Sequence, residues 1–383
     1  MKKVLFLLLL LFAYSQNGYG QSGVYEELKV AYDQFRKEGK NDSSLTAAKK
    51  MNAWALQFET DSSLRYAVSL RYVGISFTSL SRNDSALYYW NKSLEVLEKQ
   101  QRAESLDAAS CQNNLGSFYF GKGDYKTAEP YYKKALEIRK KALGEEHPDY
   151  ASSLNSLGLL YSGKGDYKTA EPYYKKVLEI RKRLLGEEHP NYASSLNDIG
   201  SLYRRMGDYK SADLYYQQAL VIRKKTVGEE HADYASSLGN LGVLHSDMGD
   251  YKVAATYYKQ ALEIRKKVLG EEHQDYAVSL NNLGNLYSKI GNYKAAEPNY
   301  QQALEIQKKA LGEDHPEYAS SLNNIGLFER EMGDYKAAER YFQQALEIRK
   351  KAFGEEHPDY ASSLGNLGVL HSDMGDYKVA ATY

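Results

Sequence analysis

Seven glycines, Gly116, Gly158, Gly200, Gly242, Gly284, Gly326 and Gly368, stand 42 residues apart, and Tyr125, Tyr167, Tyr209, Tyr251, Tyr293, Tyr335 and Tyr377 keep the same spacing. So do the alanines from Ala128 to Ala380, while Gly-Glu-Glu-His or Gly-Glu-Asp-His recurs six times, first at Gly144 to His147. A fixed period of this length means copies of one supersecondary unit, each too small to bury its own apolar side and therefore obliged to stack on its neighbours. The abundance of Tyr, 36 of 383 residues, belongs to the same repetition. No enzyme core needs such spacing.

Each unit reads as two helices. Pro148 suits a first helical turn, where its missing N–H costs nothing, and Leu154, Leu157, Gly158 and Tyr161 follow i, i+3, i+4, i+7 as one buried face. The pattern stops at Gly163 to Gly165. Asp166 then caps a second helix whose buried side carries Ala170, Tyr174, Val177 and Leu178, and Gly186 ends it. Arg181, Lys182 and Arg183 read as a solvated helix end that offsets the dipole. Pro130, Pro172 and Pro298 lie past the first turn of their helices and predict a mild kink.

The Leu157–Gly158 pair, Tyr161 one turn on, and the Ala128, Tyr132 and Ala135 columns resemble the tetratricopeptide repeat. The longer period, and phrases such as Ala135-Leu-Glu-Ile-Arg-Lys-Lys-Ala-Leu-Gly-Glu-Glu-His-Pro-Asp149, are similar to the repeats of the kinesin light chain. The match is close over 105–383 and looser over 61–104, where Gly74, Ala86 and Trp90 keep register. The family's Pro after the second helix is absent, and the aromatic column becomes His245, Glu329 and His371, where burial is expected to be incomplete. The resemblance implies an all-α fold, a right-handed superhelical solenoid of antiparallel helix pairs that binds protein or peptide in a concave groove. The expected organisation is a signal segment at 1–20, divergent helix pairs at 21–104 with amphipathic stretches at Val24 to Phe35 and Leu45 to Phe58, six full units at 105–356, and a truncated unit at 357–383.

Candidate chemistry was weighed column by column. Gly158-Leu-Leu-Tyr-Ser-Gly163-Lys164-Gly165 lacks the Ser or Thr that holds magnesium in a phosphate loop and follows no strand. The histidines His147, His189, His231, His273, His315 and His357 occur once per unit, on the order of 10 Å apart, whereas zinc ligands converge within about 2 Å of the ion. They read as a polar turn, and neither metal nor cofactor is expected. Cys111 occupies the column of Ser153, Ser195, Ser237, Ser279, Ser321 and Ser363 and reads as a small packing residue. A catalytic nucleophile is not repeated seven times, so the chain is read as non-catalytic.

What remains is the other face of the first helix, about 100° from the core stripe, which the resemblance places along the groove. Its columns run through Asn113, Asn155, Asn197, Asn281 and Asn323, interrupted by Gly239 and Gly365; through Ser117, Leu159, Ser201, Val243, Asn285, Leu327 and Val369; and through Arg204 and Arg330 among serines. Side-chain amides offer donors and an acceptor together, so an exposed Asn ladder can hold the backbone of an extended peptide. The candidate groove residues are therefore Asn113, Asn155, Asn197, Asn281, Asn323, Asn285, Arg204 and Arg330.

Composition bounds partners and destination. Lys plus Arg and Asp plus Glu both total 50, which excludes the basic surface that nucleic acid or anionic lipid demands. Hydrophobic residues at 43% and charged at 26% suit a soluble folded chain, and one Cys excludes an internal disulfide framework. Met1-Lys2-Lys3, the apolar run Val4 to Ala13 and a polar stretch to Gly20 have the layout of a secretory signal, cleaved before Gln21 and leaving no stable membrane insertion. The expected location is periplasmic or secreted. Residues 361–383 repeat 235–257 without change and stop early in a second helix, so the sequence reads as a fragment of a longer array. The leading functional expectation is a protein-interaction scaffold. Its alternatives are the sensory or substrate-presenting arm of a larger caspase-like protease or histidine kinase, and a rigid spacer.

Overall fold

The computed structural model describes residues 22–80 and 82–383; the signal segment expected at 1–20 lies outside them. The described residues form eighteen helices and no strand, packed as two units, one comprising 22–120 and 126–145, the other 121–125 and 146–383.

The first unit holds α1 (Ser22–Lys37), α2 (Asn41–Phe58), α3 (Leu64–Ser79), α4 (Asn83–Lys99), α5 (Leu106–Gly121) and α6 (Tyr125–Leu143). Both amphipathic stretches expected near the N-terminus are helices. Their apolar faces close on Met51, Val73, Phe77 and Trp90 in one continuous core. Cys111 is fully buried beside Ser93, and burial pushes its thiol up to about 11, the behaviour of an inert packing residue.

The second unit alternates first and second helices: α7 (Pro148–Gly163) with α8 (Tyr167–Leu185), α9 (Pro190–Arg205) with α10 (Tyr209–Thr226), α11 (Ala232–Asp247) with α12 (Tyr251–Leu269), α13 (Gln274–Lys289) with α14 (Tyr293–Leu311), α15 (Pro316–Met332) with α16 (Tyr335–Phe353), and α17 (Pro358–Asp373) with the short α18 (Tyr377–Ala380). Two kinds of core alternate. Within one repeat, Tyr276 and Leu280 of α13 meet Ala303 and Ile306 of α14. Between repeats, Tyr216 of α10 packs on Leu241 and Leu244 of α11, and Phe342 of α16 on Leu367 and Leu370 of α17. Each fully buried Leu or Phe is worth about 1.5–3 kcal/mol, and for the inter-repeat clusters that gain depends on the next repeat.

The glycine column exists because of the aromatic column. A Cβ added at Gly242 would lie 2.5 Å from the Tyr258 ring, so only hydrogen lets the second helix approach this closely. Gly186 has a different reason: φ 83° and ψ 166° after α8 are essentially closed to other residues. Helices α6, α8 and α14 run through Pro130, Pro172 and Pro298 without interruption. His371, 6% exposed, corrects the expectation at its own position, whereas His245 and Glu329 are half-buried as expected.

Candidate functional site

Successive first helices of the second unit touch one another directly: α9 meets α11, α11 meets α13, α13 meets α15 and α15 meets α17. Second helices show no comparable contact, so the first helices form one wall. Their seam has a register. Its rungs join residue i to i+43, one beyond the equivalent position, and Asn197 and Asn281 also reach the serine at i+40.

This register decides where the candidate residues go. Asn197 accepts from Asn240 Nδ2 at 3.3 Å on Oδ1 and donates Nδ2 to Ser237 Oγ at 3.4 Å. Asn281 donates to Ser321 Oγ at 2.6 Å, and Asn323 accepts from Asn366 Nδ2 at 2.6 Å. Asn155 hydrogen-bonds Asp198, whose carboxyl is raised above its usual range by burial, an effect that Arg181, Asn155 and Arg223 oppose. Asn197 is 7% exposed and Asn281 8%, which corrects the expectation of an open ladder at these two positions. Asn155, Asn323 and Asn113 are half-buried. Buried amides that lack partners cost free energy, and the seam meets this need in part: Asn197 is engaged at both ends, while Oδ1 of Asn155 and of Asn281 is buried without a partner.

The remaining candidates are engaged too. Asn285 accepts from Tyr300 OH at 2.7 Å, Arg204 pairs with Asp247 at 2.5 Å, and Arg330 with Asp373 at 3.0 Å. Ser288 with Glu331 and Lys289 with Ser246 repeat the i+43 rung. The structure thus brings most of the candidates together as a seam between helices. The adjacent column is split: Asp198, Asn240 and Asn366 are partners of Asn155, Asn197 and Asn323 in the seam, and what faces outward is Leu159 (43% exposed) and Val369 (45% exposed) with half-buried Asn282 and Asn324. Reading missed that column because 42-residue periodicity identifies equivalent positions without saying which neighbour covers them. Its only legible signal was the second Asn in Asn113-Asn114, Asn281-Asn282 and Asn323-Asn324.

A second correction concerns the basic helix ends. Arg181 Nη1 donates to the Asn191 carbonyl at 3.2 Å and Ser195 Oγ at 2.7 Å, so it is not solvated. Arg223 does the same to Asp233 and Ser237, Arg265 to Asp275 and Ser279, and Arg349 to Asp359 and Ser363. Desolvation lowers the pKa of all four. In the unit between, Gln307 replaces arginine and accepts from Ser321 Oγ at 2.5 Å. Each side chain bolts one second helix to the following first helix.

The lysines beside them close a ladder on the outside. Lys182 pairs with Glu187 ahead of it, while Arg183 reaches back to Glu146, Lys225 to Glu188, Lys267 to Glu230 and Lys351 to Asp314. Each is exposed, so solvent screens the pair and it adds little to stability. The histidine of each Gly-Glu-Glu-His segment caps the next first helix: Nδ1 of His147, His189, His231, His273, His315 and His357 accepts the backbone N–H two residues on, at 3.0–3.1 Å. The imidazole does here what Ser or Asp does elsewhere.

Among the described residues no group of three or more His, Cys, Asp or Glu could hold a metal ion, and no helix is long and apolar enough to cross a membrane.

Known structures share the helix-pair architecture. A Rap protein complexed with Competence and Sporulation Factor aligns with TM-score 0.60 at 18% identity, over 93% of this chain and 95% of that one. The apo form of RapI aligns with TM-score 0.55 at 19% identity, over 74% and 98%. BtubC (BKLC) from P. vanneervenii aligns at 24% identity with TM-score 0.46, over 66% and 94%. No curated protein matches the chain. The tetratricopeptide repeat model matches residues 107–183, 163–225, 215–267, 233–309, 275–351 and 317–383, which together span the whole regular array. By that match, and by the helix pairs, glycine–aromatic contacts and inter-repeat cores that underlie it, the chain belongs to the tetratricopeptide repeat family.

Proposed function

We propose that the chain is a non-catalytic protein-interaction scaffold that holds a protein or peptide segment along the wall of first helices in its second unit. The observation that carries this reading is the exposure of Leu159 (43%) and Val369 (45%) on first helices that also present half-buried Asn282 and Asn324, apolar and polar groups offered by one wall. Likeness to the Rap complex supports the fold that such binding uses. A non-catalytic role is supported by how the chemistry-bearing side chains are used: Ser195, Ser237, Ser279 and Ser363 bind arginine, and the periodic histidines bind backbone. Affinity capture with the intact protein as bait, compared with a Leu159→Lys, Asn324→Lys, Val369→Lys variant, tests the proposal. A partner recovered by the first and lost by the folded variant is expected. Recovery unaffected by the three changes would place binding elsewhere.

We further propose that the protein is exported, on the strength of the basic, apolar and polar succession in residues 1–20. Peptide mapping of the mature protein should begin at Gln21, and a soluble product retaining Met1 would refute export.

A further inference from the structure

The asparagine ladder has a gap at Gly239, and the gap leaves a defined set of partners without a counterpart. One repeat earlier, the Asn197 carboxamide accepts from Asn240 and donates to Ser237 Oγ. One repeat later, the corresponding positions are Gly239, Asn282 and Ser279. A Cβ at Gly239 would meet nothing within 4 Å, although the position lies on the seam between α11 and α13. Asn282 is half-buried and, among the described residues, has no counterpart of the bond that Asn240 gives Asn197. Ser279 Oγ accepts from Arg265 at 2.7 Å but from no asparagine.

The surroundings are desolvated and polar. Arg265 is 8% exposed, touches Ser236 Oγ at 3.3 Å one turn before Gly239, and keeps a buried Nε with no partner. No carboxylate lies within ion-pair distance of Arg265 among the described residues, so charge alone favours a carboxylate in the gap. The hydrogen-bond inventory decides otherwise. Ser279 Oγ accepts from Arg265 and lies 3.4 Å from the Asp275 carbonyl; with its proton turned there it offers a lone pair, which suits an N–H donor and not a carboxylate. A carboxamide satisfies both sides: its oxygen accepts from Asn282 and its NH2 donates to Ser279, as Asn197 does one repeat earlier.

We propose that the notch at Gly239 receives a primary carboxamide from the bound partner, the side chain of an Asn or Gln in a segment lying along the first-helix wall. This deepens the scaffold reading and rests on it for the identity of the donor, but the notch itself is a property of this chain. Replacement of Gly239 by Asn restores the residue that other repeats carry, so the variant is expected to fold.

The test is titration of the full chain with propionamide, and separately with propionate, while the side-chain amide resonances of Asn282 are followed by NMR. Propionamide should shift them saturably, and propionate should bind about ten-fold more weakly or worse, a difference of about 1.4 kcal/mol. Gly239→Asn should abolish the shift. Ser279→Cys, a residue the chain already tolerates in this column at Cys111, should weaken it. No saturable shift, equal binding of propionate, or an undiminished shift in Gly239→Asn would each overturn the proposal. Propionamide binding in a protein that captures no partner would keep the notch and discard the scaffold reading; capture without propionamide binding would do the reverse.

Discussion

His315 shows how much a single repeated residue carries. Its Nδ1 accepts the Glu317 N–H only while the ring is neutral there, and desolvation lowers its pKa below the usual 6.5, with Glu317 opposing. The sign follows: between the folded pKa and 6.5 the unfolded chain binds more protons. The cap's contribution is therefore complete above about pH 6.5 and is lost as pH falls through the folded value. Asn caps helices without titrating, so His315→Asn should match the parent in thermal midpoint at pH 7.5 and exceed it at pH 5. Melting both across that range checks this, and a pH-independent difference would contradict it. The sequence placed this histidine in a polar turn and excluded a metal role, but spacing alone did not reveal a capping acceptor. That depended on the extended backbone His315 adopts, φ −84° and ψ 137°, which aims the ring at the helix end.

At the scale of the element, the informative side chain is the arginine that leaves one helix to grip the next. Arg223 ends α10, yet its guanidinium serves the Asp233 carbonyl and Ser237 Oγ of α11. Removing it leaves a desolvated carbonyl and hydroxyl, so Arg223→Ala should cost about 1–3 kcal/mol. Arg223→Gln should cost less, because Gln307 already performs the task against Ser321. Urea unfolding of both variants distinguishes a bolt from a solvated charge, since an exposed residue would change stability by under about 0.5 kcal/mol either way. Sequence patterning reads its equivalent Arg181 as solvated, because helix-end lysines and arginines share one local pattern. The next helix, joined by a turn through Gly228, selects which of them is buried.

For the molecule as a whole, stability should be distributed repeat by repeat. Leu241 is fully buried between α10 and α11, and Leu241→Ala should cost about 2–5 kcal/mol through the cavity it leaves. Because each repeat of the second unit packs on its neighbours, hydrogen exchange should accelerate across α10 to α12 while α15 to α17 remain protected. Uniform acceleration would instead mean one cooperative core. The sequence by itself determined the helix pairs, their 42-residue spacing, the glycine–aromatic contacts and the family, because each depends on local propensity and on apolar faces that recur with the chain. The tertiary structure alone decided which polar face is surface. Helices that stack directly cover a second stripe, and rungs one residue beyond the equivalent position pair Asn197 with Asn240 and Asn323 with Asn366, drawing the expected ladder into the seam. A period shows which positions are equivalent; contact between neighbours settles whether an equivalent position meets solvent or another helix.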